Sequence, residues 1–146
     1  MRSFLTALLA LLTAFLALLL LHLPLLRLPY YWDEAGYYIP AALDFYRSWS
    51  LIPTSTPPIG HTPLVMIYLG LAWRVFGYSA WAARGAMTLI AAATVTALYG
   101  LGRRVANREI ALWSALLLSV SPLFFAQSTL VHLDLAGALS RLLKAG

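Results

Sequence analysis

Three stretches of the chain are almost purely apolar, and the polar residues collect between them. Residues 4–26 contain no charged side chain, and this run exceeds the ~20 residues that cross ~30 Å of hydrocarbon as a helix. Residues 79–102 and 109–127 are predicted as a second and a third span, and residues 134–146 begin a fourth that is incomplete. The pattern predicts an all-α integral membrane protein that folds as a multi-span helical bundle.

Residues 27–78 form a long predicted outer loop that carries two interfacial helices. The first is predicted over residues 34–48, since apolar positions recur there at i, i+3, i+4 and i+7, at Tyr38, Ala41, Ala42 and Phe45. That spacing is typical of an amphipathic helix lying along a membrane surface.

The second interfacial helix is predicted over residues 63–76. Thr62 is the expected N-cap, Pro63 the first helical residue and Gly77 the C-terminal stop. At about 1.5 Å per residue this helix is too short to span the membrane.

Composition supports a membrane protein and excludes several other classes. Apolar residues make up 62% of the chain and charged residues 10%, whereas soluble domains are roughly half apolar and a quarter charged. The sequence contains no cysteine, so disulfides and thiolate metal sites are excluded. The net charge of +5 does not indicate nucleic-acid binding, because Arg103, Arg104 and Arg108 cluster between two apolar runs. This is the positive-inside pattern, and with Arg2 it places the N-terminus in the cytoplasm and residues 27–78 outside.

Asp33 and Glu34 are adjacent carboxylates at the point where the chain leaves the first span. Aspartate is a favoured N-cap, so Asp33 could simply cap the helix that begins near Glu34. A carboxylate at this position can also accept the proton that an attacking hydroxyl or amine loses. The residues alone leave both interpretations open, and the two are compatible.

Asp134 follows the third span and falls on the same predicted membrane face as Asp33. It is either a helix cap or one of two carboxylates, from separate loops, that hold an acceptor or a divalent cation. Carboxylate oxygens suit Mg²⁺ or Mn²⁺. Two carboxylates alone do not specify a metal site.

Arg84 is the one charged residue of the predicted second span. It either snorkels to lipid headgroups or pairs with a lipid-linked phosphate, for which guanidinium geometry is well suited. His61 is either an ordinary loop histidine or a substrate contact. His22 is expected to hydrogen-bond near the outer interface, and His132 is left outside the catalytic set.

The order of four motifs resembles that of the GT-C-fold glycosyltransferases that use polyprenyl-phosphate sugars, around the protein O-mannosyltransferases and the lipid A aminoarabinose transferase. The first motif is the acidic pair Asp33-Glu34, and the second is Gly-His-Thr-Pro-Leu at residues 60–64. The third is Phe-Gly-Tyr-Ser at residues 76–79 with Ala-Ala-Arg at 82–84, and the fourth is Ser-Pro-Leu-Phe at 121–124 leading to Asp134. The second motif departs from the family's H/K-P-P-L turn, because Thr62 replaces the first proline.

The resemblance implies a membrane enzyme that transfers a sugar, with inversion, from a polyprenyl-phosphate donor to an acceptor lipid, glycan or protein. Asp33 matches the family's catalytic aspartate and would be the general base, with Glu34 as its acidic neighbour. Asp134 matches an acidic residue that assists acceptor or metal binding, and Arg84 matches a recurrent arginine, here assigned to the donor phosphate. The reaction would take place on the periplasmic face of a bacterial inner membrane, with a divalent cation as the one candidate cofactor.

Two other functions compete with this one. The incomplete fourth span predicts a fragment of a larger protein, either catalytically incomplete or a module that binds a lipid phosphate. A transporter would place polar groups near the bilayer midplane, whereas the midplane positions here are almost all Leu, Ala, Val or Thr. The pattern therefore disfavours transport.

Overall fold

The computed structural model describes residues 2–57 and 63–145, and all regular secondary structure within those ranges is helical. The helices are α1 (Arg2–His22), α2 (Ile39–Ser48), α3 (Leu64–Phe76), α4 (Ala80–Val105), α5 (Arg108–Val120), α6 (Pro122–Gln127) and α7 (Leu133–Ala145). A 3₁₀ turn covers Leu25–Arg27, and a π-helical segment, Glu34–Tyr38, runs directly into α2.

Among the described residues, two helices are long and apolar enough to cross a membrane, over Leu5–His22 in α1 and Ala80–Val105 in α4. Much of the apolar surface of α1 is exposed, with leucines such as Leu9 and Leu16 56% accessible. Helix α4 is central, since it contacts α1, α3, α5 and α7. The elements that carry the polar residues are thus arranged around α4.

Helices α2 and α3 pack against each other through the predicted amphipathic stripe. Ala41, Ala42 and Phe45 are buried, so the predicted apolar face is present, and it packs on protein in the described part of the chain. Gly70 on α3 permits the close approach, because a Cβ atom there would lie 2.5 Å from Cδ1 of Phe45. Gly77 ends α3 with a φ of +83°, as predicted for the C-terminal stop.

The two ends of α4 are defined by local hydrogen bonding. At its start the Ser79 hydroxyl accepts a hydrogen bond from the Ala82 amide at 3.1 Å, which is a serine N-cap. At its far end α4 continues beyond the predicted limit at residue 102 to Val105. Arg103 and Arg104 therefore lie in the last helical turn and not in the following loop.

The stretch predicted as one span over residues 109–127 consists of two helices in the structure. Helix α5 ends at Val120, and Pro122 is the first residue of α6. Proline has no amide hydrogen to continue α5, and the Ser121 hydroxyl instead accepts from the Phe124 amide. The continuous apolar run concealed this break.

His22 links the end of α1 to α6. Its Nδ1 lies 2.7 Å from the Leu18 carbonyl and its Nε2 lies 2.9 Å from the Phe125 carbonyl. Its ring also stacks on Phe125, with 4.0 Å between centroids. The structure thus confirms the expected hydrogen bonding of His22, which is fully buried.

Candidate functional site

A buried ion pair between Glu34 and Arg84 lies at the candidate site. Arg84 Nη1 lies 3.3 Å from Glu34 Oε1, and Nη2 lies 3.3 Å from Oε2, so the pair is bidentate. The Glu34 side chain is 1% exposed and the Arg84 side chain is 2% exposed. Bidentate guanidinium–carboxylate pairing fixes orientation as well as distance.

Backbone groups from two further segments complete the coordination of this pair. Arg84 donates to the carbonyls of Leu28 and Pro29, at 3.3 and 3.0 Å from Nη2, and to the Thr129 carbonyl at 3.0 Å. These carbonyls belong to the segment after α1 and to the connection between α6 and α7.

The Glu34 carboxylate is held from the same two segments. It accepts hydrogen bonds from the Val131 amide at 2.7 Å and the Tyr31 amide at 3.1 Å. A buried ion pair offsets its desolvation only when the remaining polar groups are also satisfied. Together with the carbonyls on Arg84, these bonds join the first outer loop, α4 and the α6–α7 connection at one point.

This arrangement gives Glu34 and Arg84 a structural task. The Arg84 guanidinium, assigned from the resemblance to the donor phosphate, is directed at protein acceptors, and the Glu34 oxygens receive protein donors. Neither side chain presents an open charged surface to solvent, since both are buried.

Asp33 differs sharply from its neighbour Glu34. It occupies the N-cap position of the π-helical segment, but its side chain makes no capping hydrogen bond, so the helix-cap interpretation is wrong. The carboxylate is partly exposed and accepts no hydrogen bond from residues 2–57 or 63–145. The preceding Trp32 has a φ of +47°, a left-handed conformation that strains a bulky residue. Backbone strain of this kind clusters at functional sites.

Tyr38 connects Asp33 to Asp134. Its pKa is raised above 10.0, first by burial and then by the negative charges of Asp33 and Asp134. Both carboxylates therefore act on one phenol, although they are about a hundred residues apart in sequence. A phenol is protonated at neutral pH in any case, so the Tyr38 hydroxyl is a hydrogen-bond donor there, and the higher pKa extends that range toward alkaline pH.

Asp134 lies in the first turn of α7 and is exposed. A negative charge at this position interacts favourably with the helix dipole. The His132 ring, two residues earlier, lies 5.5 Å from the Tyr38 ring, centroid to centroid. The α6–α7 connection thus places His132 and Asp134 beside the π-helical segment that carries Tyr38.

Tyr30 packs over the ion pair from the side of the first loop. Its ring centroid lies 5.7 Å from the Arg84 guanidinium carbon. Burial, with further contributions from Tyr78 and Glu34 that exceed the opposing effect of Arg84, raises its pKa to about 12. Its buried hydroxyl has no hydrogen-bond partner within the described part of the chain.

A metal site is not assembled by the described residues. Within 2–57 and 63–145, no three His, Cys, Asp or Glu side chains are grouped to hold an ion. His61, the predicted substrate contact, and Thr62, the predicted N-cap of α3, lie outside the described residues.

Sequence reasoning missed the Glu34–Arg84 pair and the role of Tyr38. A charge inside an apolar span almost always has a partner, so Arg84 predicts a carboxylate partner in the adjoining loop, although the sequence does not select Glu34 over Asp33 or Asp44. The π-helical segment has no comparable signal, because a single inserted residue leaves the apolar spacing nearly unchanged. Such π segments often occur at functional sites.

The fold and the site describe an all-α membrane protein with carboxylates gathered at one end of α4. Residues 60–144, more than half of the chain, match the family described as dolichyl-phosphate-mannose-protein mannosyltransferase, and the chain belongs to that family. Arg84 and Asp134 lie inside the matched range, whereas Asp33 and Glu34 precede it. No curated protein and no solved structure matches the chain.

Proposed function

We propose that this protein takes part in glycosyl transfer from a polyprenyl-phosphate sugar, with Asp33 as the general base. The observation that carries the proposal is the difference in hydrogen bonding between the adjacent carboxylates Asp33 and Glu34. Glu34 is buried and fully hydrogen-bonded, whereas Asp33 is held beside it without a hydrogen bond from any described residue. A base must be free to accept a proton in the ground state, and Asp33 meets that requirement.

In the proposed reaction the acceptor hydroxyl gives its proton to the Asp33 carboxylate as its oxygen attacks the anomeric carbon. The new glycosidic C–O bond forms on the face opposite the phosphate. The bond between the anomeric carbon and the phosphate oxygen breaks, and polyprenyl phosphate leaves with the electron pair. Attack from the opposite face inverts the anomeric configuration.

Tyr38 and Asp134 are proposed to orient the reacting groups. The Tyr38 hydroxyl is protonated at neutral pH, as any phenol is, and can donate to an oxygen of the sugar or of the leaving phosphate. Asp134 is exposed and can accept from an acceptor hydroxyl. Preorganised donors and acceptors in a site of low dielectric contribute several kcal/mol to catalysis.

The Glu34–Arg84 pair is proposed to position the site and not to contact the donor. It fixes the π-helical segment against α4 and the α6–α7 connection, so a shift in the pair would move Asp33 relative to Asp134. Among the described residues only two carboxylates, Asp33 and Asp134, approach Tyr38, and the proposed reaction is therefore written without a metal. Mg²⁺ or Mn²⁺ between Asp33 and Asp134 would need ligands from the substrate phosphate.

The proposed orientation puts the site on the periplasmic face. Arg103 and Arg104 lie at the opposite end of α4 from Arg84, and the positive-inside rule assigns the arginine-rich end to the cytoplasm. The polyprenyl tail would then lie beside the apolar helices.

The test is turnover of polyprenyl-phosphate mannose by the purified protein in liposomes. Labelled donor is supplied with candidate lipid, glycan and peptide acceptors, and released polyprenyl phosphate and the anomeric configuration of the product are measured. Acceptor-dependent release with an inverted product supports the proposal. Donor binding without release would favour the lipid-phosphate-binding module, and retention of configuration would contradict a direct attack assisted by Asp33.

A further inference from the structure

A cavity lies between α1 and α4 at the arginine-rich end of α4, far from Asp33 and Asp134. Its volume is about 570 Å³, and Arg103, Arg104 and Tyr99 of α4 line one side. Small residues, Ala7 and Ala10 of α1 and Gly100 of α4, leave the space open. No acidic residue is among the described residues that line it.

An apolar groove lies next to this cavity. This groove has a volume of about 350 Å³, and the two share Ala7 and Thr96 as lining residues. Leu8 and Leu11 of α1 and Leu139 of α7 are among its walls. A cationic compartment thus adjoins an apolar one along α1 and α4.

We propose that this composite cavity binds one anionic phospholipid, with its phosphate between Arg103 and Arg104 and an acyl chain in the apolar groove. Guanidinium groups pair with phosphate through parallel hydrogen bonds, and basic pockets between membrane helices bind acidic lipid headgroups. Arg103 is already oriented by the Tyr99 ring, 5.9 Å from the guanidinium carbon.

Charge segregation alone does not account for this geometry. The positive-inside pattern requires arginines near the end of a span, but it requires neither a cavity between the helices nor an apolar groove beside that cavity. A free phosphate would use the arginines and leave the groove empty. A phospholipid occupies both compartments, and for that reason we assign the site to a lipid.

Native mass spectrometry of the protein from liposomes of mixed phosphatidylglycerol and phosphatidylcholine tests the assignment. The wild type should retain one phosphatidylglycerol in preference to phosphatidylcholine. The R103Q/R104Q variant should lose that preference by about tenfold or more, because each basic residue near an acidic lipid contributes a factor of about five. The R141Q/K144Q variant is the matched control, since it removes two charges from exposed positions on α7.

Gly100→Leu provides a test that leaves charge unchanged. A Cβ atom at Gly100 meets nothing within 4 Å, so the leucine can enter the cavity without disturbing the helices, and lipid retention should fall. Equal retention of both lipids by the wild type, or an equal loss in R141Q/K144Q, would overturn the proposal. Protection of the protein against unfolding by inorganic phosphate to the same extent as by phosphatidylglycerol would also contradict a lipid site.

Discussion

The Glu34 carboxylate and the Arg84 guanidinium meet as a bidentate pair, with both N–O distances at 3.3 Å, in the interior of the protein. The pair links the loop after α1 to the beginning of α4, and backbone groups of Thr129 and Val131 complete it. Glu34 directly follows Asp33, so the contact that holds this loop on α4 also holds the backbone that carries Asp33.

Removing the charge of Glu34 should destabilise the protein strongly. Glu34→Gln leaves the Arg84 guanidinium buried without its counter-charge, and loss of one partner of a buried pair costs about 3–5 kcal/mol. Unfolding in detergent micelles measures the effect. The control is Glu109→Gln on the exposed first turn of α5, which should change stability by no more than about 0.5 kcal/mol. Equal stability of the two variants would show that the pair contributes nothing.

Alanine at two helical glycines should act in opposite directions. At Gly70 the new Cβ would lie 2.5 Å from the ring of buried Phe45, and overpacking costs about 1–3 kcal/mol. At Gly85 the Cβ meets nothing within 4 Å, so G85A should gain up to about 1 kcal/mol from helix propensity. The same unfolding measurement decides both, and a stabilised G70A would contradict the packing of α2 on α3.

Residue spacing and backbone preference correctly predicted the apolar face of α2 and the end of α3. The buried stripe through Ala41, Ala42 and Phe45 and the stop at Gly77 follow from residue spacing and backbone preference. The break at Ser121 was missed because apolar residues continue on both sides of it. Predicting one span there followed the hydropathy and ignored the helix-starting preference of Pro122.

The site was predictable in its residue types and not in their roles. Asp33 and Asp134 were expected on one face, and Tyr38 lies within the electrostatic reach of both. Asp33 and Glu34 differ because only Glu34 pairs with Arg84. Tertiary packing determines that, and nothing in the adjacency of two acids indicates it.

Low pH should destabilise the turn that follows α2. Asp44 Oδ2 accepts hydrogen bonds from the amides of Thr54 and Ser55 at 2.7 and 2.9 Å. Burial acts to raise the Asp44 pKa, but the hydrogen bonds from Ser55 and Thr54 outweigh it and bring the pKa below 3.8. A depressed native pKa gives stabilisation that is present above pH 3.8 and is lost as the pH falls through the native pKa.

Hydrogen exchange at the Thr54 and Ser55 amides measures this effect. Protection should be constant from pH 7 to 5 and should decline below pH 3.8, after correction for intrinsic exchange. In Asp44→Asn the decline should disappear. A decline of the same size in both proteins would assign it to another carboxylate.

Tyr38→Phe should impair catalysis without unfolding the protein. The variant keeps the ring that packs near His132 and removes the proposed donor. Loss of a hydrogen bond to a charged group is worth about 1.5–3 kcal/mol, so kcat/KM should fall roughly tenfold or more. Tyr37→Phe is the matched control, because Tyr37 is the exposed neighbour. If both variants turn over donor as the wild type does, Tyr38 has no part in the reaction.

The proposed function depends on Asp33 as the general base. Its most direct test is the rate of polyprenyl phosphate release from saturating polyprenyl-phosphate mannose by Asp33→Asn, compared with Glu109→Gln. A general base contributes about 10²–10⁴ in rate. The release rate of Asp33→Asn should therefore fall by at least about a hundredfold, with unchanged donor binding and stability. Release by Asp33→Asn at the rate of Glu109→Gln would contradict it.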